Sequence, residues 1–299
     1  MNISIIIPNW NGRNLLEKNL PHVLQTLKHK KNNILEIIIV DDFSLDDSVD
    51  YIQKTFKNRV RLIKHKKNTG FASAVNTGAR HAKGDLLCLL NTDVIPSRNF
   101  LESVHPHFSD KYLFAVGLHE ENHGAAIGVF KDGFLAHNGS SEGNVAVPSL
   151  WASGGSAVFR RSIWWELKGL DQNLFKPFYW EDVDLSYRAW KRGFKVLWEP
   201  LAHVVHKHEA TINSSSFDRH YMDRIKERNE LLFIWKNITS EKMWRKHLVG
   251  LTNRVIHHPG YLKIVFLALS KRPLVTKKRK LEKKESRVSD EAVFTIFNP

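Results

Sequence analysis

Three places in this 299-residue chain put carboxylates where they could do chemistry. The first is Asp93. The apolar run Leu86–Leu90 ends abruptly in Asn91, Thr92 and Asp93, the pattern of a fully buried strand whose last residues emerge from the sheet. Ligands of open α/β sheets sit at the carboxyl ends of the strands, so Asp93 stands where a metal ion or a phosphate-bearing substrate would be held. The second place is Asp41–Asp42, which ends the apolar run Ile34–Val40 in the same way. The third is Glu181–Asp182, preceded by Phe178-Tyr179-Trp180 and followed by a segment in which Val183, Tyr187 and Trp190 share one helical face and Gly193 stops the helix. Acids at a helix start are favoured by the dipole alone. The aromatic cluster before them predicts a partly dry pocket as well, which favours a catalytic role for the pair.

The elements that must position these groups can be read in order. Ile3–Pro8 is a strand, broken by Pro8-Asn9-Trp10-Asn11-Gly12, and apolar residues at helical spacing follow through Asn14–Lys28. Ile34–Val40 is the second strand, and a helix opens at Asp46-Asp47-Ser48 and runs to about Thr55. Val60–Ile63 is a third strand, and a helix containing Asn68–Gly78 leads into Leu86–Leu90. A βαβαβαβ order with crossover-length connections predicts an α/β fold built on a mostly parallel, doubly wound sheet. The glycines do not form the G-x-G-x-x-G fingerprint, which excludes a nicotinamide or flavin site of that type. Pro96–His107 is expected to be helical, Lys111–Leu118 a strand, and 119–148 loop with irregular β. Gly154–Gly155, among small residues, lets a backbone approach a ligand closely or simply makes a tight turn.

Composition bounds the class. The chain is 42% hydrophobic and 25% charged, as in globular proteins. Cys88 is the only cysteine, which rules out a disulfide framework and reads as a small buried hydrophobe in a reducing compartment. There is no basic leader and no transmembrane-length apolar run, so a cytoplasmic location is expected. The formal net charge is +14, of which residues 241–299 carry +9, from 14 basic and 5 acidic residues. That excess predicts an anionic surface as a partner, lipid or nucleic acid. Met243–Ser270 interleaves apolar and basic residues in a way that suits a monotopic membrane contact or packing on the rest of the chain. Lys277–Lys284 is expected to be a mobile charged tail.

Taken together and in order, IIIPNWNG, VDDFS, NTGFASAVNTG, LNTD, GGSAVFRR and FYWEDVDLSYRAWKRGFK closely resemble family 2 of the inverting glycosyltransferases, above all its rhamnosyltransferase-like branch, over residues 3–235. The resemblance implies a GT-A fold, with a catalytic domain over 1–215 and C-terminal amphipathic helices and a basic tail over 216–299. It implies transfer of a sugar from a nucleotide-diphosphate donor, dTDP-rhamnose or a UDP-sugar, to a glycan or polyprenyl-linked acceptor in cell-surface polysaccharide synthesis, at the inner face of the membrane.

Residue by residue, the resemblance makes Asp182 of the Glu181–Asp182 pair the base and puts Asp41, Pro8 and Asn9 at the nucleotide base. It places Asn68, Gly70, Asn76, Asn91, Gly155 and Arg228 along the donor, and makes Asp93 and His206 ligands of Mn²⁺ or Mg²⁺, with His203 and His208 as neighbouring choices. Asn91 replaces the first acid of the family's D-x-D motif, leaving one carboxylate to anchor the metal. Two other classes compete. A sugar nucleotidyltransferase would want a Gly- and Arg/Lys-rich loop after the first strand, which PNWNGRN matches poorly. A nucleic-acid-binding module has only the basic tail in its favour.

Overall fold

The computed structural model describes residues 1–206 and 218–297. Its first half follows the predicted alternation: β1 (Ile3–Asn9), α1 (Arg13–Thr26), β2 (Ile34–Asp41), α2 (Ser48–Phe56), β3 (Arg61–Lys64), α3 (Phe71–His81) and β4 (Leu86–Leu90). These strands are parallel, in the spatial order β3-β2-β1-β4. β5 (Val94–Pro96), β6 (Leu113–Glu120), a hairpin of β7 (Ala126–Lys131) and β8 (Phe134–Gly139), β9 (Val147–Pro148), β10 (Ser156–Arg160), α4 (Arg161–Glu166), α5 (Glu181–Lys191) and β11 (Lys195–His206) complete the sheet half. The sheet continues as β10-β6-β11-β5. β10 runs antiparallel to both β4 and β6, so the sheet is mixed beyond its parallel half.

Side chains of β1 divide between two apolar layers. Ile5 and Ile7 pack with α1 and α2, while Ile6 packs with α3, α5 and α6 (Arg219–Asn237). This is the period-two alternation of a sheet covered on both faces, and Cys88 lies fully buried in it.

Two expectations need correction. Pro96–His107 is not an α-helix: the stretch is turns followed by a short 3₁₀ segment at His105–Ser109. Phe100, Leu101 and Val104 are fully buried anchors there, which supplied the helix-like spacing without a helix. Nor is Lys277–Lys284 a mobile tail, because it lies within α9 (Arg272–Glu285), which follows α7 (Glu241–His257) and α8 (Leu262–Leu269) and precedes α10 (Asp290–Thr295).

Buried ion pairs hold this region down. Arg192 Nη1 meets Glu282 at 2.8 Å, and Lys191 Nζ meets Asp290 at 2.7 Å. Leu231–Ile234 of α6 and Val293 and Phe294 of α10 lie in the same apolar cluster as Tyr187 of α5. Residues 218–297 therefore share a core with the sheet, and the expected boundary at 215 lies outside the described residues.

Candidate active site

The carboxyl ends of β1, β2 and β4 open onto a cleft of about 410 Å³ lined by Pro8, Asn9, Asp42, Asn68, Gly70, Phe71, Asn91 and Asp93, among others. The turn carrying Asp93 is clamped. The Asn91 amide donates to Gly155 O at 2.9 Å, Asn19 Nδ2 donates to Thr92 O at 2.8 Å, and Val94 pairs with His206 across β5 and β11. This pairing brings His206 Nε2 to 3.1 Å from Asp93 Oδ1, while its Nδ1 lies 3.0 Å from Glu120 Oε1. Burial lowers the imidazole's pKa, but its hydrogen bonds to Asp93 and Glu120 outweigh this and raise it to about 9.

A carboxylate beside an imidazole suits Mn²⁺, and Mg²⁺ also takes one or two carboxylates and draws its remaining ligands from water and substrate phosphates. Among the described residues no group of three or more His, Cys, Asp or Glu side chains could enclose a metal. Asp93 and His206 thus fit such an ion in partnership with a diphosphate. Strand alternation separates His203 from this face: its partner is His119, ring to ring at 4.7 Å. His208 lies outside the described residues.

Asp182 stands outside the residues that line this cleft, beside Gly154. Its Oδ2 accepts from the Gly154 amide at 3.0 Å and its Oδ1 from Val183 N at 2.8 Å. Space is tightest at the second of the paired glycines. A Cβ on Gly155 would lie 2.4 Å from Asn91 Nδ2, and one on Gly154 would lie 3.3 Å from Phe71 and 3.5 Å from the Asp182 Cβ. The chain passes between the base candidate and the cleft wall with no room for a side chain at Gly155, whereas a Cβ at Gly154 would only make close contacts. Burial raises the Asp182 pKa, partly opposed by the backbone hydrogen bonds. Glu181 is 6% exposed behind the wall formed by Gly70 and Pro177, and burial, with the charges of Asp182 and Asp184, raises it to about 8. At neutral pH it is mostly the protonated acid.

The remaining expected residues divide. Pro8, Asn9, Asn68, Gly70 and Asn91 line the cleft. Asp41 sits behind it, 2% exposed, accepting from Asn9 Nδ2 at 2.8 Å and from the Ser44 amide at 3.0 Å. Its neighbour Asp42 lines the cleft and holds the Thr69 and Gly70 amides at 3.0 and 2.7 Å. Asn76 does not reach the cleft, since its side chain is stapled to the backbone of Leu170 in both directions. Arg228 also stands away from it, bonded to the Lys176 carbonyl and to Asn229.

Three further residues contribute. Phe71 walls the cleft, Glu120 lay in a stretch read as irregular, and Asn229 is fully buried with Nδ2 donating to the carbonyls of Phe175, Phe178 and Tyr179. Asn229 thereby fixes a loop in which Tyr179 and Trp180 both adopt left-handed backbone angles, φ 73° and 76°, a strained entry to the Glu181–Asp182 helix start. Its signal was its place beside Arg228.

Residues 4–128 match the family model described as glycosyl transferase family 2. That stretch is less than half of the chain. It carries β1 to β6 and most of the cleft, whereas Gly154, Asp182 and His206 lie beyond it. The pre-mycofactocin glycosyltransferase of Mycobacterium tuberculosis is 28% identical over 192 residues, 60% of this chain, but the match spans only 38% of that relative's length. Among solved structures, GalNAc-T7 with UDP, GalNAc and Mn²⁺ superposes with a TM-score of 0.63 at 20% identity, covering 81% of this chain and 49% of the other. A mannosyltransferase from Pyrobaculum calidifontis in complex with GDP-Man and Mn²⁺ gives 0.58 at 14% identity, over 99% of this chain and 86% of the other. These superpositions establish the GT-A fold with added C-terminal helices. They do not single out the rhamnosyltransferase-like branch.

Proposed function

We propose that this chain is an inverting glycosyltransferase that moves a sugar from a nucleotide-diphosphate donor to a hydroxyl of a glycan or polyprenyl-linked acceptor, serving cell-surface polysaccharide synthesis at the inner face of the membrane. The donor in this reading is dTDP-rhamnose or a UDP-sugar. The observation that supports it is the Gly154–Gly155 passage, which lies between the Asp182 side chain and Phe71 and Asn91 of the cleft that Asp93 lines.

In the reaction the acceptor oxygen attacks the sugar's anomeric carbon, the bond from that carbon to the diphosphate breaks, and Asp182 takes the hydroxyl proton. Burial raises its pKa, which makes the carboxylate a stronger base than an exposed aspartate. Asn9, Asn68 and Asn91 offer neutral polar contacts to the donor. None of the described residues lining the cleft is Lys or Arg, which supports a bound cation as the neutraliser of the diphosphate. When held by Asp93 and His206, Mn²⁺ or Mg²⁺ would supply that charge. The complexes of the structural neighbours with UDP or GDP-Man and Mn²⁺ point the same way. The lack of cationic lining disfavours a sugar nucleotidyltransferase.

Incubation with a panel of nucleotide sugars and a polyprenyl-linked glycan tests the proposal. Release of nucleoside diphosphate that needs both substrates, with an inverted anomeric linkage in the product, supports it. A retained linkage contradicts the mechanism, and no release with any donor contradicts the activity.

A further inference from the structure

Among the described residues no helix is long and apolar enough to cross a membrane, yet the C-terminal helices expose an unusual amount of apolar surface. Leu248, Val249 and Ile256 of α7 and Leu262, Phe266, Leu267 and Leu269 of α8 are all exposed, Ile256 at 65% and Phe266 at 66%. On α8, Leu262, Phe266 and Leu269 stand at i, i+4 and i+7, on the side opposite Ile264 and Ala268, which are buried. The helix is thus apolar on both sides, and its own chain covers only one.

Charge says what covers the other. From Lys242 to Leu281 there is no acidic residue and there are 11 Lys and Arg, including exposed Arg245 and Lys246 on α7, Lys263 on α8 and Arg272 just after it. Of the acids at the end of α9, Glu282 is buried against Arg192, and the partly exposed Glu285 is paired with Arg192 and Lys168. Lys277, Lys280, Lys283 and Lys284 of the same helix are exposed. An apolar stripe framed by cations that outnumber the exposed acids Glu227 and Glu241 matches the headgroup and acyl boundary of an anionic bilayer.

We infer that α7 and α8 form a monotopic docking face for an anionic lipid surface, with Leu262, Phe266 and Leu269 entering the interface and the surrounding lysines and arginines meeting the headgroups. The inference rests on the membrane location in the proposed function and not on its chemistry, so lipid binding and sugar transfer can fail separately.

The experiment is flotation of the full chain with phosphatidylcholine vesicles, with and without phosphatidylglycerol. Binding should require phosphatidylglycerol and weaken with salt. The exposed double variant Leu262→Ser/Phe266→Ser should lose at least about tenfold in vesicle affinity. Lys263→Glu/Arg272→Glu should lose about tenfold, while Leu35→Ser, an exposed apolar residue elsewhere, should bind like the parent. Three results would overturn the inference: parent-like flotation of both double variants, preference for duplex DNA over the anionic vesicles, or a solution dimer that the Leu262→Ser/Phe266→Ser change dissolves, which would make a second copy the occupant.

Discussion

The backbone N–H of Gly154 donates to the Asp182 carboxylate at 3.0 Å, tying the candidate base to the passage that borders the cleft. Asp182→Asn keeps an oxygen for that hydrogen bond and removes the proton acceptor. Transfer should fall by about a hundred- to ten-thousandfold, with nucleotide affinity within a few-fold of the parent by calorimetry. Equal loss of both would make Asp182 a donor-binding residue instead.

Asn229 holds the loop before Asp182 through three carbonyls from a fully buried position. Asn229→Ala leaves those acceptors unsatisfied and should cost about 1–3 kcal/mol in urea unfolding. Transfer should fall more than donor binding does, because the loop positions the base. Unchanged stability and turnover would show that the loop holds itself.

Glu181 makes stability depend on pH. Its carboxyl is raised from 4.5 to about 8 in the folded protein, so the unfolded chain releases this proton first. The contribution is fully present below the unfolded value and is lost as pH rises towards the folded one. Between pH 4.5 and 8 the melting temperature should fall, and Glu181→Gln should flatten that slope, gaining on the order of a few kcal/mol at the alkaline end. Parallel curves for the two proteins would mean that Glu181 is ionised in the fold.

Asp290 ties the C-terminal helices to α5. It accepts from Lys191 Nζ at 2.7 Å, Tyr187 Oη at 2.6 Å and the Thr239 and Ser240 amides at 2.7 and 2.6 Å. Asp290→Ala strands a buried lysine and should destabilise by about 3–5 kcal/mol. Removing residues 271–299 should unfold much of the protein for the same reason. A truncated chain with the parent's melting temperature would contradict the shared core.

The parallel half of the sheet was legible because its strands are continuous apolar runs that stop at Asn9, Asp41 and Asn91, and because α1 to α3 carry helical periodicity. The second half was harder to read. β10 is preceded by two glycines and enters antiparallel, and the buried Phe100, Leu101 and Val104 imitate a helix within a set of turns. In the site, Asp93 and Asp182 could be picked out by type and position. Register decided the rest. The choice between Asp41 and Asp42 turns on which carboxylate Asn9 captures, and that between His203 and His206 on which face of β11 each occupies. Glu120 and Asn229 act through contacts more than 30 residues distant in sequence, which no local pattern shows. The burial of Glu282 against Arg192 is equally invisible in a run of lysines.

The central claim is a nucleotide site completed by a cation at Asp93. Its most direct test is the melting temperature of the purified protein with UDP, dTDP, GDP and ADP, each with and without Mn²⁺, for the parent and for Asp93→Ala. A ligand that binds only the folded state must raise the melting temperature. One nucleotide should do so, by an amount that needs Mn²⁺ and disappears in Asp93→Ala. No rise with any nucleotide in the presence of Mn²⁺, or an equal rise in Asp93→Ala, would contradict the account.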